Sequence, residues 1–80
     1  MDDTELRDAV VAELRRIAPE VDADDLDDRR PLRRQVDLDS LDWLRFLLGL
    51  HDRLGVEIPE ADYPQLSTLG EVVGYLRARL

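Results

Sequence analysis

Eighty residues carrying 19 acidic and 11 basic side chains have a net charge of −8 and a pI near 4.4. A chain this short buries only about 60–65% of the surface its unfolded state exposes, so it holds one thin core and is read as a single domain over residues 1–80. Without cysteine it has no disulfide, thiolate metal ligand or thiol nucleophile, and with His51 as its one histidine a histidine-rich metal site or a Ser-His relay would lack parts.

The acidic excess is repelled by nucleic acid and by anionic membrane surfaces, and it favours proteins that present basic patches. The longest stretch without a formal charge runs from Tyr63 to Gly70. That is far short of the roughly 20 apolar residues a membrane-spanning helix needs. The opening Met-Asp-Asp-Thr-Glu is acidic, unlike a secretory leader. The expectation is a cytoplasmic, acidic monomer that is not an enzyme. All the basic residues are arginine, which points to coding bias before any chemistry.

Leu6, Val10, Leu14 and Ile17 recur at intervals of three and four, the stripe of an amphipathic helix that Pro19 stops. Asp2, Asp3 and Glu5 suit its N-terminal dipole. Val21 to Asp39 shows no sustained period and carries charge in blocks, with Leu26, Leu32 and Val36 as anchors to the core. Its aspartates do not make a calcium loop. Counting from Asp22, the places that require glycine and the closing glutamate hold Asp27 and Arg33.

A second helix is predicted from Asp39-Ser40 to Leu54, with Gly55 as terminator. Leu41, Leu44 and Leu48 form one apolar line on it; Phe46, Leu47, Leu50 and Leu54 form another. Together they exceed what so small a bundle buries, so one line is expected to face a partner or ligand. Gly49 either permits close helix packing or leaves room for a ligand inside the bundle. His51 reads as a partly exposed helix residue. Glu60 to Tyr63 is expected to form a single turn that Pro64 interrupts. Thr68 with Glu71 fits a capping box opening a last helix on Leu69, Val72, Val73, Leu76 and Leu80. Tyr63 and Tyr75 read as core edges with surface hydroxyls. The fold class is all-α, a bundle of three longer helices and one short one.

Ser40 sits where a long loop meets the second helix. Serine there is ordinarily a helix cap, but Asp39 can take that role and free the hydroxyl. Asp39-Ser40-Leu41-Asp42 resembles the phosphopantetheine attachment motif of acyl carrier proteins. The likeness extends through Leu50, Glu57-Ile58-Pro59, the short turn, Leu66, Ser67-Thr68 and Val72 to Leu76, covering about residues 32–76 without a gap. The first helix fits in pattern only.

The resemblance implies that Ser40 carries 4′-phosphopantetheine, transferred from coenzyme A by a phosphopantetheinyl transferase with magnesium. Acyl groups would ride on it as thioesters to partner ligases, synthases or acyltransferases. It places Asp39, Leu41, Asp42, Leu44 and Leu48 at partner-recognition positions, to which Trp43 and Arg45 are added. Asp39 and Asp42 oppose a phosphate, so the arm is expected to be tethered without being pinned electrostatically. Three departures stand out. Asp37 and Leu38 replace a glycine usual before the motif. Arg45 and Arg53 lie beside Asp42 and Asp52 where fatty-acid carriers have glutamates. Trp43 is an aromatic where small or aliphatic residues are usual, and it reads equally as core or as docking residue. Together they suggest a specialised lipid or secondary-metabolite carrier. The alternatives are an aminoacyl or peptidyl carrier, and an unmodified acidic helical adaptor that would not need Ser40.

Overall fold

The computed structural model describes residues 1–80. Helix α1 spans Asp3–Ile17, α2 is one turn at Leu32–Gln35, α3 spans Ser40–Leu54 and α4 spans Leu69–Arg79. Two 3-10 segments, Ala23–Asp25 and Glu60–Gln65, complete the helical structure. The all-α class holds, with three longer helices.

Capping fixes where the long helices start. Asp2 and Glu5 form a capping box on α1, and Thr68 and Glu71 form another on α4. Asp39 caps α3 through its side chain. Gly55 ends α3 at φ 67°, a left-handed conformation that glycine adopts without steric cost. Helix α1 packs against both α3 and α4. Leu6, Val10 and Leu14 from α1, Phe46, Leu47 and Leu50 from α3, and Leu69, Val72 and Leu76 from α4 are the buried side chains of that arrangement.

The segment between α1 and α3 is more ordered than its sequence suggests. Leu32 and Val36 are buried as expected, Leu26 is only partly so, and Val21 and Leu38 join the core. Helix α2 forms despite lacking a period, because a single turn cannot display one. It is held from outside. The Leu32 amide donates to the Ser67 carbonyl at 2.9 Å. The Gln35 side chain accepts from the Asp27 amide at 2.8 Å and donates to the Asp27 and Arg30 carbonyls at 2.8 and 2.9 Å. Arg7 ties the loop to α1, meeting Asp28 at 3.0 Å and the Ala23 carbonyl at 3.3 Å.

Pro64 does not interrupt the turn after Pro59. The 3-10 segment runs through it to Gln65, since the fixed φ of proline is compatible with 3-10 geometry. The Tyr75 hydroxyl is not simply exposed. It donates to Asp62 on that segment at 2.5 Å, while the Arg79 guanidinium lies 3.5 Å from the ring centroid. No helix is long and apolar enough to cross a membrane.

Candidate functional site

The site is the N-terminus of α3. Val36 and Leu38 anchor the loop into the core, and no residue of this loop has a positive φ. The glycine expected before the motif is therefore not required by the backbone, and Leu38 supplies an apolar anchor in its neighbourhood. The Asp39 carboxylate accepts from the Asp42 amide at 2.8 Å. Ser40 is thus released from capping, and it is exposed at the first position of α3. The amides of Ser40 and Leu41 have no backbone acceptor.

The two apolar lines of α3 part as the surplus predicted. Phe46, Leu47 and Leu50 are buried and Leu54 is partly so, while Leu41, Leu44 and Leu48 are 54%, 38% and 50% exposed. Arg45 is exposed with them and Asp42 is half-exposed. Trp43 departs from the docking assignment. It is only 9% exposed and packs against Phe46 with ring centroids 5.2 Å apart, so its bulk belongs to the core. Its remaining edge lines a shallow cleft of about 240 Å³ with Arg33, Tyr63, Pro64, Leu66 and Ser67.

Two residues next to this helix escaped the sequence reading. Glu13 is the one charged residue in the interior, 3% exposed, on the same turn of α1 as Leu14. It pairs with Arg53 at 2.9 Å and with Arg16 at 3.3 Å. A Cβ on Gly49 would stand 2.4 Å from its carboxylate oxygen. Gly49 therefore serves close packing of α1 on α3, with the carboxylate occupying the space. Arg53 turns inward to this pair, so the outward face of α3 is less balanced in charge than the sequence implies. His51 is half-buried, and its Nδ1 lies 2.9 Å from the Val56 carbonyl beyond the helix end.

The second overlooked residue is Arg33. From α2 its Nε donates to the Leu38 carbonyl at 3.3 Å, and its terminal nitrogen reaches Ser40 Oγ at 3.5 Å. The side chain that stands beside the serine is thus a cation, alongside the anions the sequence places there. The signal was available in the arginine block before the motif, but only α2 aims one of those arginines at Ser40.

Comparison with known proteins bears on this constellation. A family model described as the phosphopantetheine attachment site matches residues 5–76, extending the likeness from the α2–α4 region through nearly all of α1. An acyl carrier protein of Lactobacillus acidophilus is 34% identical over 59 residues, covering 74% of each chain. One from Campylobacter hominis is 33% identical over 72 residues, covering 90% of this chain and 85% of its own. The solved structure of an acyl carrier protein from Enterococcus faecalis superposes over the full length of both chains with a TM-score of 0.77 at 24% identity, a likeness of fold.

The cofactor of this family is 4′-phosphopantetheine, held covalently. The α3 terminus fits a linked phosphate: it offers an exposed hydroxyl, two amides without backbone acceptors and a guanidinium within reach. The chain belongs to the acyl carrier protein family.

Proposed function

We propose that Ser40 is the attachment point of the phosphopantetheine arm and that residues 1–80 act as one carrier domain, monomeric and cytoplasmic, without catalysis of its own. The observation that carries this reading is the division of labour at the helix start. Asp39 takes the capping bond at 2.8 Å, and the neighbouring serine hydroxyl is left exposed. Nothing in the chain is placed to activate that hydroxyl: His51 lies three turns down α3, engaged with Val56. Activation must come from a phosphopantetheinyl transferase, with coenzyme A as donor and magnesium as cofactor.

When attached, the arm supplies the thiol that this cysteine-free chain lacks, so acyl groups are held as thioesters. The chain's own residues do the rest. Asp39 and the first turn of α3 present Ser40. Leu41, Leu44 and Leu48 offer an apolar strip to partner enzymes, with Asp42 and Arg45 setting its charge. An apolar strip left in water by a folded monomer gains free energy when a partner covers it. Those partners are an acyl-activating ligase, a synthase or an acyltransferase. Arg45 on the outward face and the lack of glutamate along α3 support service in a specialised lipid or secondary-metabolite pathway. A main-pathway fatty acid synthase that used this carrier as readily as its own would contradict that narrower statement.

The test is intact-mass spectrometry after incubation with coenzyme A, magnesium and a broad-specificity transferase. A gain of one phosphopantetheine, lost in Ser40→Ala with the helical spectrum retained, is expected. Failure to load alongside a second carrier that loads in the same tube would overturn the assignment.

A further inference from the structure

Of the eleven arginines, Arg7, Arg16, Arg53, Arg77 and Arg79 form the five ion pairs of the molecule. Arg33 is in none of them. It nevertheless does not extend away from the protein, as a solvated arginine would. Its Nε is directed onto the Leu38 carbonyl at 3.3 Å, which turns the terminal nitrogen back toward Ser40 Oγ, 3.5 Å away. The base of the side chain is fixed as well. Its helical turn is locked by buried Leu32 and Val36 and by the Gln35 latch on Asp27 and Arg30. A guanidinium has five donors, and at 3.5 Å the contact with a neutral hydroxyl is at the limit of a hydrogen bond. The cation is thus positioned at the serine while most of its donors remain unused.

We infer that Arg33 is a phosphate-binding residue that holds the phosphodiester of the arm on the α2 side of Ser40. The inference rests on Ser40 being the attachment point. The free oxygens of a phosphate on Oγ lie two bonds beyond that atom, within reach of a guanidinium already in contact with it. Arginine meets phosphate oxygens with paired, charge-assisted bonds, and the amides of Ser40 and Leu41 add the favourable end of the helix dipole. The opposing carboxylates are weaker competitors than the sequence suggests. Asp39 is engaged by the Asp42 amide, and neither Asp37, Asp39 nor Asp42 forms an ion pair with Arg33. On this inference the arm is anchored at its phosphate and mobile beyond it, in place of a tether free of electrostatic pinning. Both groups are exposed, so the contact weakens as salt is added.

The experiment compares the full-length ¹⁵N-labelled protein before and after loading, with loading confirmed by intact mass. The Arg33 Nε–Hε signal is identified by its loss in Arg33→Gln. In the loaded protein that signal is expected to shift and exchange more slowly with water, whereas Ser40→Ala treated identically leaves it unmoved. The ³¹P line of loaded Arg33→Gln should be narrower than that of the wild type, and Arg33→Lys should fall between them. A loaded protein whose Arg33 signal does not move, with equal ³¹P widths in wild type and Arg33→Gln, overturns the inference and leaves the carrier function standing. Absence of any mass gain overturns the attachment assignment, and this inference with it.

Discussion

Leu47 and Leu48 are neighbours on α3 with opposite fates. Leu47 is 1% exposed beside Phe46 and Leu50, and Leu48 is 50% exposed in line with Leu41 and Leu44. The helix is the same and so is the residue type. The inward line supplies the larger share of the monomer's stability and the half-covered outward line a smaller one, because burial, and not apolarity, is what yields free energy. A stripe of leucines that a folded chain leaves half in water is the surface proposed above for partner enzymes.

The largest test of that contrast is truncation on each face. Phe46→Ala removes a fully buried ring and should cost about 3–5 kcal/mol in urea unfolding, enough to threaten the fold of so small a domain. Leu44→Ala, at a position 38% exposed, should cost only about 1 kcal/mol. It should nevertheless weaken binding of a partner enzyme on the order of tenfold, measurable by titration calorimetry. A stability loss at Leu44 matching that at Phe46 would break the distinction.

The seam between α1 and α3 sharpens it, since there a charge is buried where a leucine would serve. Arg53→Ala should cost about 1–2 kcal/mol, less than breaking a fully buried pair, because Arg16 remains and Arg53 is 40% exposed. Glu13→Leu should cost less than Arg53→Ala, because it frees arginines that water can solvate. Gly49 gives a finer reading. Alanine gains about 1 kcal/mol of helix propensity over glycine, but here its methyl would displace the Glu13 carboxylate from its two arginines. Gly49→Ala should therefore fail to stabilise the wild type and should stabilise a Glu13→Ala background by about 1 kcal/mol, a coupling that a double-mutant cycle reads directly.

Alkaline pH is the mildest probe, loosening the interior without touching the outward leucines. Burial, followed by the hydrogen bond to Asp62, raises the Tyr75 phenol above its ordinary value of 10.0. The unfolded chain releases that proton first, so stability is full below about pH 10 and falls as pH rises through the folded-state value. The chain has no lysine to add a decline of its own at alkaline pH. Tyr75→Phe should lower stability by about 1 kcal/mol at neutral pH and flatten the decline between about pH 9 and pH 11 in urea midpoints.

Much of the carrier could be read from local sequence. Leu6, Val10 and Leu14 announced α1, the Thr68–Glu71 box announced α4, and Gly55 marked the end of α3, because caps and periodicity act within a few residues. The Asp39-Ser40-Leu41-Asp42 motif is equally local, and so is the surplus of leucines after it. What the sequence could not assign was any residue whose role depends on a distant segment. Trp43 is core because Phe46 and the fold around it close over it. Gly49 is matched to Glu13, 36 positions earlier. Arg53 turns inward to the same carboxylate, and Arg33 meets Ser40 only because Ser67 and Gln35 hold a helical turn too short to show a period. The sequence by itself determined the helices, their ends and the serine between loop and helix, since these follow from short-range backbone bonding and apolar spacing. Tertiary structure alone decided which glutamate is interior, which way Trp43 and Arg53 turn and which arginine stands at the serine, because burial and charge pairing belong to residues brought together across the chain.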